Sequence, residues 1–286
     1  VNAAGPDPRV VERLRCPVCG EGLHLAPAGT SHALRCPRRH SFDIARQGYV
    51  NLLTGRAPHS GDTAEMVAAR ADFLAAGHYD VISTALADAA PASDDAYPLV
   101  VDAGAGTGRH LAAVLTAVPT AVGLALDIAK PALRRAARAH PRVTAALADT
   151  WQRLPLADAS AALVLNVFAP RNGAEFRRVL APDGRLLVVT PATDHLTELV
   201  AALGLLRVDP AKADRVAASL AGHFTEESTT VHRQELALSG SEVATLVGMG
   251  PSAWHTDPAG LAARIHTLGE PARVTVAVRL GTYRPA

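Results

Sequence analysis

Three cysteines and a histidine crowd one short stretch near the start of the chain. Cys16 and Cys19 stand in C-P-V-C, and sixteen residues later Cys36 and His40 stand in C-P-R-R-H. No other cysteine occurs in the sequence. Three thiolates and one imidazole make a complete tetrahedral shell for Zn²⁺, which prefers sulfur and nitrogen ligands at such spacings. A closed four-ligand shell is a structural site, because a catalytic zinc keeps one position open for water. A thioredoxin-like C-x-x-C is the weaker reading, since no βαβ pattern surrounds the pair.

The second chemical signal is VVDAGAGTGRH, Val100 to His110. Asp102 precedes Gly104, Gly106 and Gly108, and glycines let a turn bend sharply and a ligand approach without a Cβ clash. A dinucleotide fingerprint G-x-G-x-x-G needs glycine at position 109, where this chain has Arg109. The observed D-x-G-x-G-x-G suits the S-adenosylmethionine loop of Rossmann-like methyltransferases. Asp127 closes the next apolar run, where a carboxylate accepts from both ribose hydroxyls. Asp149 closes the one after, placed for the adenine amino group, with Thr150 and Trp151 alongside. Carboxylates at successive strand ends agree with ligand binding at the switch point of an open α/β sheet.

These groups need elements to hold them. LVVDA, AVGLALD, VTAALAD, AALVLNVFAP and RLLVVTP read as strands. HLAAVLTAV, KPALRRAARAH and AEFRRVLAPDG read as the helices between them, with Pro131 in a first turn where its missing N–H does no harm. Near-continuous apolar strands alternating with helices predict a parallel sheet covered on both faces. Upstream, L-H-L-A and A-L-R-C are strand-like pieces of two short zinc-knuckle hairpins. TGRAPHSGDT, Thr54 to Thr63, reads as a linker. The Ala-rich run 64–90 predicts two helices broken at Gly77 and His78. A helical region follows Thr193, then β-prone stretches at Ser228–Leu238 and Ala272–Leu280. The expected division is a zinc module over 1–53, linker and helices over 54–95, and a methyltransferase domain over 96–286.

In these 286 residues no run of about 18 apolar residues spans a membrane. VNAAGPDPRVVERLR lacks the apolar core of a signal peptide. Free thiolates held by a metal agree with a cytoplasmic site, which is the expectation. The net charge of +1 announces no nucleic-acid partner. The first sixty residues nevertheless carry Arg9, Arg13, Arg15, Arg35, Arg38, Arg39, Arg46 and Arg56 against Asp7, Glu12, Glu21 and Asp43. That excess is either a phosphate-contacting surface or a solvated face. Only Lys130 and Lys212 are lysine, and the Ala, Gly and Arg content points to a GC-rich genome.

The C-x-x-C…C-x-x-x-H module is followed by F-D-I-A-R-Q-G-Y-V-N-L-L, G-D-T-A-E-M and F-L-A-A-G-H-Y. T-P-A-T-D-H-L-T-E-L at Thr190–Leu199 and M-G-P-S-A-W-H at Met249–His255 come later. With these motifs the chain resembles the 23S ribosomal RNA (guanine-N1)-methyltransferases along nearly its whole length. Its composition is similar to the actinomycete branch tied to macrolide (tylosin- or mycinamicin-type) resistance. The resemblance implies methyl transfer from S-adenosylmethionine to N1 of a guanine in an RNA hairpin loop lining the peptide exit tunnel, and a homodimer gripping RNA with two zinc modules. Family members often have Ile-Tyr-Ala-Pro, preceded by Arg, where this chain has Asn166, Val167, Phe168, Ala169 and Pro170. A flipped base would stack on an aromatic. Phe168 and Pro170 are expected to form that wall, and Asn166 to bond the base edge. His195, Glu198 and Asp194 are open as proton acceptors. Two rivals remain: a small-molecule methyltransferase of a biosynthetic pathway, and a zinc-containing RNA-binding protein that has lost catalysis.

Overall fold

The computed structural model describes residues 5–29, 31–55, 61–207, 209, 211–250 and 258–286. Arg56 and the P-S-A-W-H part of the Met249–His255 motif lie outside them.

The chain opens with helix α1 (Pro8–Val11), then strands β1 (His24–Ala28), β2 (Ser31–Arg35), β3 (Ser41–Asp43) and β4 (Tyr49–Asn51). Helices α2 (Ala64–Ala75) and α3 (Asp80–Asp88) follow. Next come β5 (Leu99–Ala103), α4 (Arg109–Ala117), β6 (Val122–Asp127), α5 (Lys130–Ala136), β7 (Val143–Leu147), β8 (Ala161–Val167), α6 (Gly173–Val179) and β9 (Leu180–Pro191). The C-terminal part holds α7 (Thr197–Leu203), α8 (Lys212–Leu220), β10 (Phe224–Leu238), α9 (Gly240–Gly248), α10 (Pro258–His266) and β11 (Ala272–Pro285).

The large sheet has the order β10-β11-β9-β8-β5-β6-β7-β4. Its strands from β9 to β4 are parallel, and β11 lies antiparallel to both β9 and β10. The chain leaves β5 toward β6 on one side and later returns to β8 on the other, so the switch point falls where β5 carries the glycine turn. All five residues of β5 are buried, as a central parallel strand requires.

Three details differ from the expected elements. The zinc segment forms one three-stranded antiparallel sheet, β1-β2-β3, rather than two separate hairpins. Helix α6 stops at Val179 instead of running to Gly184, because Leu180 already pairs with Ala161 of β8 and Pro182 has no N–H to continue a helix. Tyr49–Asn51 pairs in parallel with Ala145–Leu147 and adds an edge strand to the large sheet.

The N-terminal segment is fastened to the sheet domain. Leu14 bridges Leu156, and the Arg15 N–H donates to the Pro155 carbonyl at 3.0 Å. The Asp7 N–H donates to Thr144 Oγ1 at 2.9 Å. Arg13 pairs with Asp95 and donates to the Tyr97 carbonyl. Val10, Leu14, Cys16, Leu34 and Cys36 share one buried apolar cluster with Leu99, Val122 and Leu154. The hydrophobic effect therefore acts across the junction, and the metal end is docked on the sheet.

Candidate active site and metal centre

Cys16, Cys19, Cys36 and His40 converge, with their ligand atoms all within 4.8 Å of one another. Cys19 Sγ stands 3.7 Å from Cys36 Sγ, and His40 Nδ1 stands 3.5 and 3.3 Å from Cys16 Sγ and Cys36 Sγ. A tetrahedron with Zn–S of about 2.3 Å and Zn–N of about 2.0–2.1 Å has edges of roughly 3.5–3.8 Å. The four residues fit zinc, and their first ligand knuckle is folded by a Gly20 N–H to Cys16 carbonyl bond of 2.8 Å. Arg39, inside the second knuckle, takes a left-handed φ of 67°. Its N–H donates to the Cys36 carbonyl at 2.9 Å, which explains how a non-glycine residue is held there.

The glycine turn leaves the end of β5 with left-handed φ at Gly104 (88°), Gly106 (54°) and Gly108 (77°). A Cβ on Gly104 would come within 2.4 Å of Ala169 Cβ, so this glycine is needed for close approach to the loop after β8 as well as for its φ. The Gly106 N–H donates to Asp127 Oδ2 and the Ala129 N–H to Asp127 Oδ1, both at 2.8 Å. Burial raises the Asp127 carboxyl above its ordinary value, against the lowering effect of those two amides. Asp149 accepts the Trp151 N–H on Oδ1 at 2.9 Å, and Thr150 beside it is buried.

Among the described residues, Asp102 Oδ1, Asp149 Oδ2 and Arg171 Nε are buried side-chain atoms without a hydrogen-bond partner. Unsatisfied buried polar atoms are rare in folded proteins, and each calls for a cause. Asp102 stands in β5 just before the glycine turn, and Asp149 stands two residues beyond the end of β7. S-adenosylmethionine carries an ammonium and an adenine amino group, and both donate. The residues present therefore fit this cofactor. Burial, and then the neighbouring Asp127, push the Asp102 carboxyl up to about 7.

A cavity of about 430 Å³ opens at the C-terminal ends of β6 and β7. Ile128, Ala129 and Leu147 form one side, and Asn51, Leu53 and Asp62 the other. Small-molecule sites commonly enclose about 300–1,000 Å³. Asp62 ion-pairs with Arg70, whose other nitrogen donates to the Met249 carbonyl at 2.8 Å. Gly61 lies so close to Ala129 that a Cβ there would meet its Cβ at 2.9 Å. Asn51, Leu53, Gly55, Gly61 and Asp62 thus line the cavity beside the ends of β6 and β7. Asn51, Leu53 and Asp62 belong to the Y-V-N-L-L and G-D-T-A-E-M motifs, and the packed chain brings them with Arg70 to these strand ends.

On the other side of the turn, Asn166 at the end of β8 is fully buried. Its Nδ2 donates to the Ala103 carbonyl at 3.2 Å and to the Pro170 carbonyl at 2.7 Å. With both amide hydrogens engaged, Asn166 ties the β5 and β8 ends together, and its Oδ1 lies 3.5 Å from an Arg171 guanidinium nitrogen. Phe168 is 42% exposed and has a left-handed φ of 52°. Strained non-glycine backbone clusters at functional sites. Phe168 faces Tyr79 and His195, with ring centroids 6.3 and 6.0 Å away. Tyr79, the last residue of the F-L-A-A-G-H-Y motif, thus joins this aromatic cluster, which motif spacing alone does not reveal. Asp194 is paired with Arg233 at 2.7 Å, and Glu198 takes the Thr275 hydroxyl at 2.6 Å. Arg233 holds the Asp194 carboxyl below its ordinary value, and, against the raising effect of burial, the Thr275 hydrogen bonds hold Glu198 below its own.

Known proteins align with this arrangement. A zinc-ribbon family model described as "RlmA, N-terminal" matches residues 14–60, and one described as "Methyltransferase domain" matches residues 100–184. The chain is 68% identical over 292 residues to "Putative 23S rRNA (guanine-N(1)-)-methyltransferase" of Micromonospora griseorubida, covering 97% of this chain and 99% of the relative. It is 51% identical over 278 residues to "23S rRNA (guanine(748)-N(1))-methyltransferase" of Streptomyces fradiae, covering 96% and 98%. A Bacillus subtilis (strain 168) protein, "Putative 23S rRNA (guanine-N(1)-)-methyltransferase YxjB", is 35% identical over 192 residues, covering 65% and 66%.

Proposed function

The chain belongs to the 23S rRNA (guanine-N1)-methyltransferase family, and on that premise we propose that it methylates the guanine its Streptomyces fradiae relative is named for. It is an S-adenosylmethionine-dependent methyltransferase with a structural zinc ribbon. The observation that carries the reading is the extent of the match. The 68% identical relative aligns through both the ribbon and the sheet domain. A small-molecule enzyme would share the second part without the first.

When bound, S-adenosylmethionine supplies an electrophilic sulfonium methyl. Gly104, Gly106 and Gly108 give its methionine portion a backbone cradle, and Asp102 offers an unpartnered carboxylate oxygen there. Asp127 accepts from the ribose, and Asp149 with Thr150 meets the adenine. Phe168 stacks on the guanine, while Asn166 and Pro170 hold the loop that carries it. Positioning the two reactants in line provides much of the acceleration. The ribbon, residues 1–53, grips the RNA through its arginines, and two ribbons in a homodimer embrace one hairpin.

The target hairpin lines the peptide exit tunnel, and the added methyl group obstructs macrolide binding there. The work takes place in the cytoplasm with the ribosomal RNA; no helix among the described residues is long and apolar enough to cross a membrane. The test is incubation with unmethylated 23S rRNA and radiolabelled cofactor, followed by primer extension and mass spectrometry of the nucleosides. A reverse-transcription stop at one guanine, with 1-methylguanosine recovered, is the expected result. Label appearing only in small metabolites, or nowhere, overturns the reading. Sedimentation of the protein with a hairpin fragment tests the dimer.

A further inference from the structure

The reaction proposed above leaves one chemical problem open. Guanine N1 carries a proton at neutral pH, so its lone pair becomes available only as that proton leaves. Negative charge then spreads onto O6. A site can assist by accepting the proton or by donating a hydrogen bond to O6. The engaged Asp194 and Glu198 carboxylates argue against the first route.

His195 also argues against it. The backbone N–H of Ala277 donates to His195 Nδ1 at 3.2 Å, so Nδ1 bears no proton. Burial holds the imidazole down to about 4, so the ring is neutral near pH 7. A neutral ring with a bare Nδ1 has its proton on Nε2. Nε2 stands 3.4 Å from the Tyr79 hydroxyl, which must therefore accept from it. Catalytic hydrogen bonds are often long before substrate arrives. The Tyr79 hydroxyl still holds its own proton, since burial raises it above its ordinary value. Among the described residues that proton has no second acceptor. A donor chain thus runs from the Ala277 amide through His195 to Tyr79.

The chain ends beside the exposed Phe168 ring, the proposed stacking wall. Phe168 adjoins Ala169, which is packed on Gly104 of the cofactor turn. Phe168 and Leu196, the residue after His195, both take left-handed φ, at 52° and 55°. Phe168 in the cluster and the residue next to His195 are thus held by the surrounding fold in a conformation that L side chains resist.

We propose that Tyr79 is a catalytic residue whose hydroxyl donates to O6 of the flipped guanine, and that His195 is the positioning residue that keeps the hydroxyl turned toward it. This rests on the guanine-N1 reading. As N1 loses its proton to solvent water, the freed pair forms the N1–CH₃ bond. The S–CH₃ bond breaks and its pair stays on sulfur. The Tyr79 hydroxyl meets the charge growing on O6, in the manner of an oxyanion-hole donor.

Tyr79→Phe keeps the ring packing and removes the donor. Its kcat on a 23S rRNA hairpin transcript should fall about 100-fold, the lower end for loss of one such donor. KM for the RNA and calorimetric affinity for S-adenosylmethionine should stay within about twofold of wild type. His195→Ala should show the same split, and His195→Gln, which keeps a donor near the Nε2 position, should recover most of it. Unchanged kcat in Tyr79→Phe, with wild type active on the same transcript, overturns this inference and leaves the guanine-N1 reading standing. Wild type inactive on every RNA removes that reading itself. A measurement on the unmutated protein stands apart from folding of the variants: long-range ¹H–¹⁵N NMR of the free enzyme should find the His195 proton on Nε2, and a proton on Nδ1 overturns the chain.

Discussion

The Gly106 amide donates to Asp127 Oδ2 at 2.8 Å, so the carboxylate ending β6 is fastened to the glycine turn leaving β5. Its other oxygen takes the Ala129 N–H at the same distance. One side chain thus joins the glycine turn to the start of α5. Asp127→Asn is consequently not a gentle change, because its amide nitrogen must face one of two N–H donors. Asp127→Ala should weaken S-adenosylmethionine binding by about 1.5–3 kcal/mol, the range for a hydrogen bond to a charged group. Isothermal titration calorimetry checks it, and an Asp127→Ala affinity equal to wild type would remove Asp127 from the site.

Gly104→Ala puts a Cβ into the space occupied by Ala169 Cβ and forces a left-handed φ on a non-glycine residue. The backbone part alone costs about 1–3 kcal/mol. Adding Ala169→Gly removes the clash and leaves the φ cost. The double variant should therefore melt above the single one in differential scanning fluorimetry. A double variant no more stable than the single would mean that the close approach is immaterial.

Asp102 provides a pH signature. Its folded value of about 7 lies above the 3.8 of a free carboxyl. Between those values the folded state binds more protons than the unfolded state, so this group makes stability fall as pH rises across that window. Asp102→Asn carries no such charge. Its melting temperature should match wild type near pH 4 and exceed it at pH 8, while its cofactor affinity drops. Curves for the two proteins that run parallel from pH 4 to 8 would show that Asp102 ionises freely.

Cys36→Ala opens the metal shell. Structural zinc contributes folding free energy, so the ribbon should lose its metal and its order. Atomic absorption should read one zinc per chain in wild type and close to none in the variant. Cys16 and Cys36 share an apolar cluster with the sheet. Part of the sheet domain should therefore loosen with the ribbon, visible as faster amide exchange in β5 and β6. Full zinc in the variant contradicts the ligand set.

Arg38 and Arg39 project from the second knuckle, where Arg38 is largely exposed and only 3.8 Å from Glu21. If both meet phosphates, replacing both by Ala should flatten the slope of log K against log salt by roughly 1.4–1.8, from about 0.7–0.9 per contact. Cofactor affinity should not move. Filter binding over a salt series decides it. An unchanged slope would shift the search to Arg9, Arg13, Arg15 and Arg46, of which Arg9 and Arg13 are already tied to Asp7 and Asp95.

Much of this site was legible in the residues themselves. Ligand spacing in C-P-V-C and C-P-R-R-H, the D-x-G-x-G-x-G turn, and carboxylates at strand ends are local chemistry, set within a few residues of backbone. Strand and helix periodicity places such groups at one end of a parallel sheet without further information. Contacts across long separations were not legible. Tyr79 and His195 meet 116 positions apart, and Arg70 reaches the Met249 carbonyl 179 positions away. The roles of Asn166 and His195 turned on which atoms their nitrogens meet: Ala103 and Pro170 carbonyls for one, the Ala277 amide for the other. A residue type states what a side chain can donate or accept, and only the packed chain brings up the partner that uses that capacity.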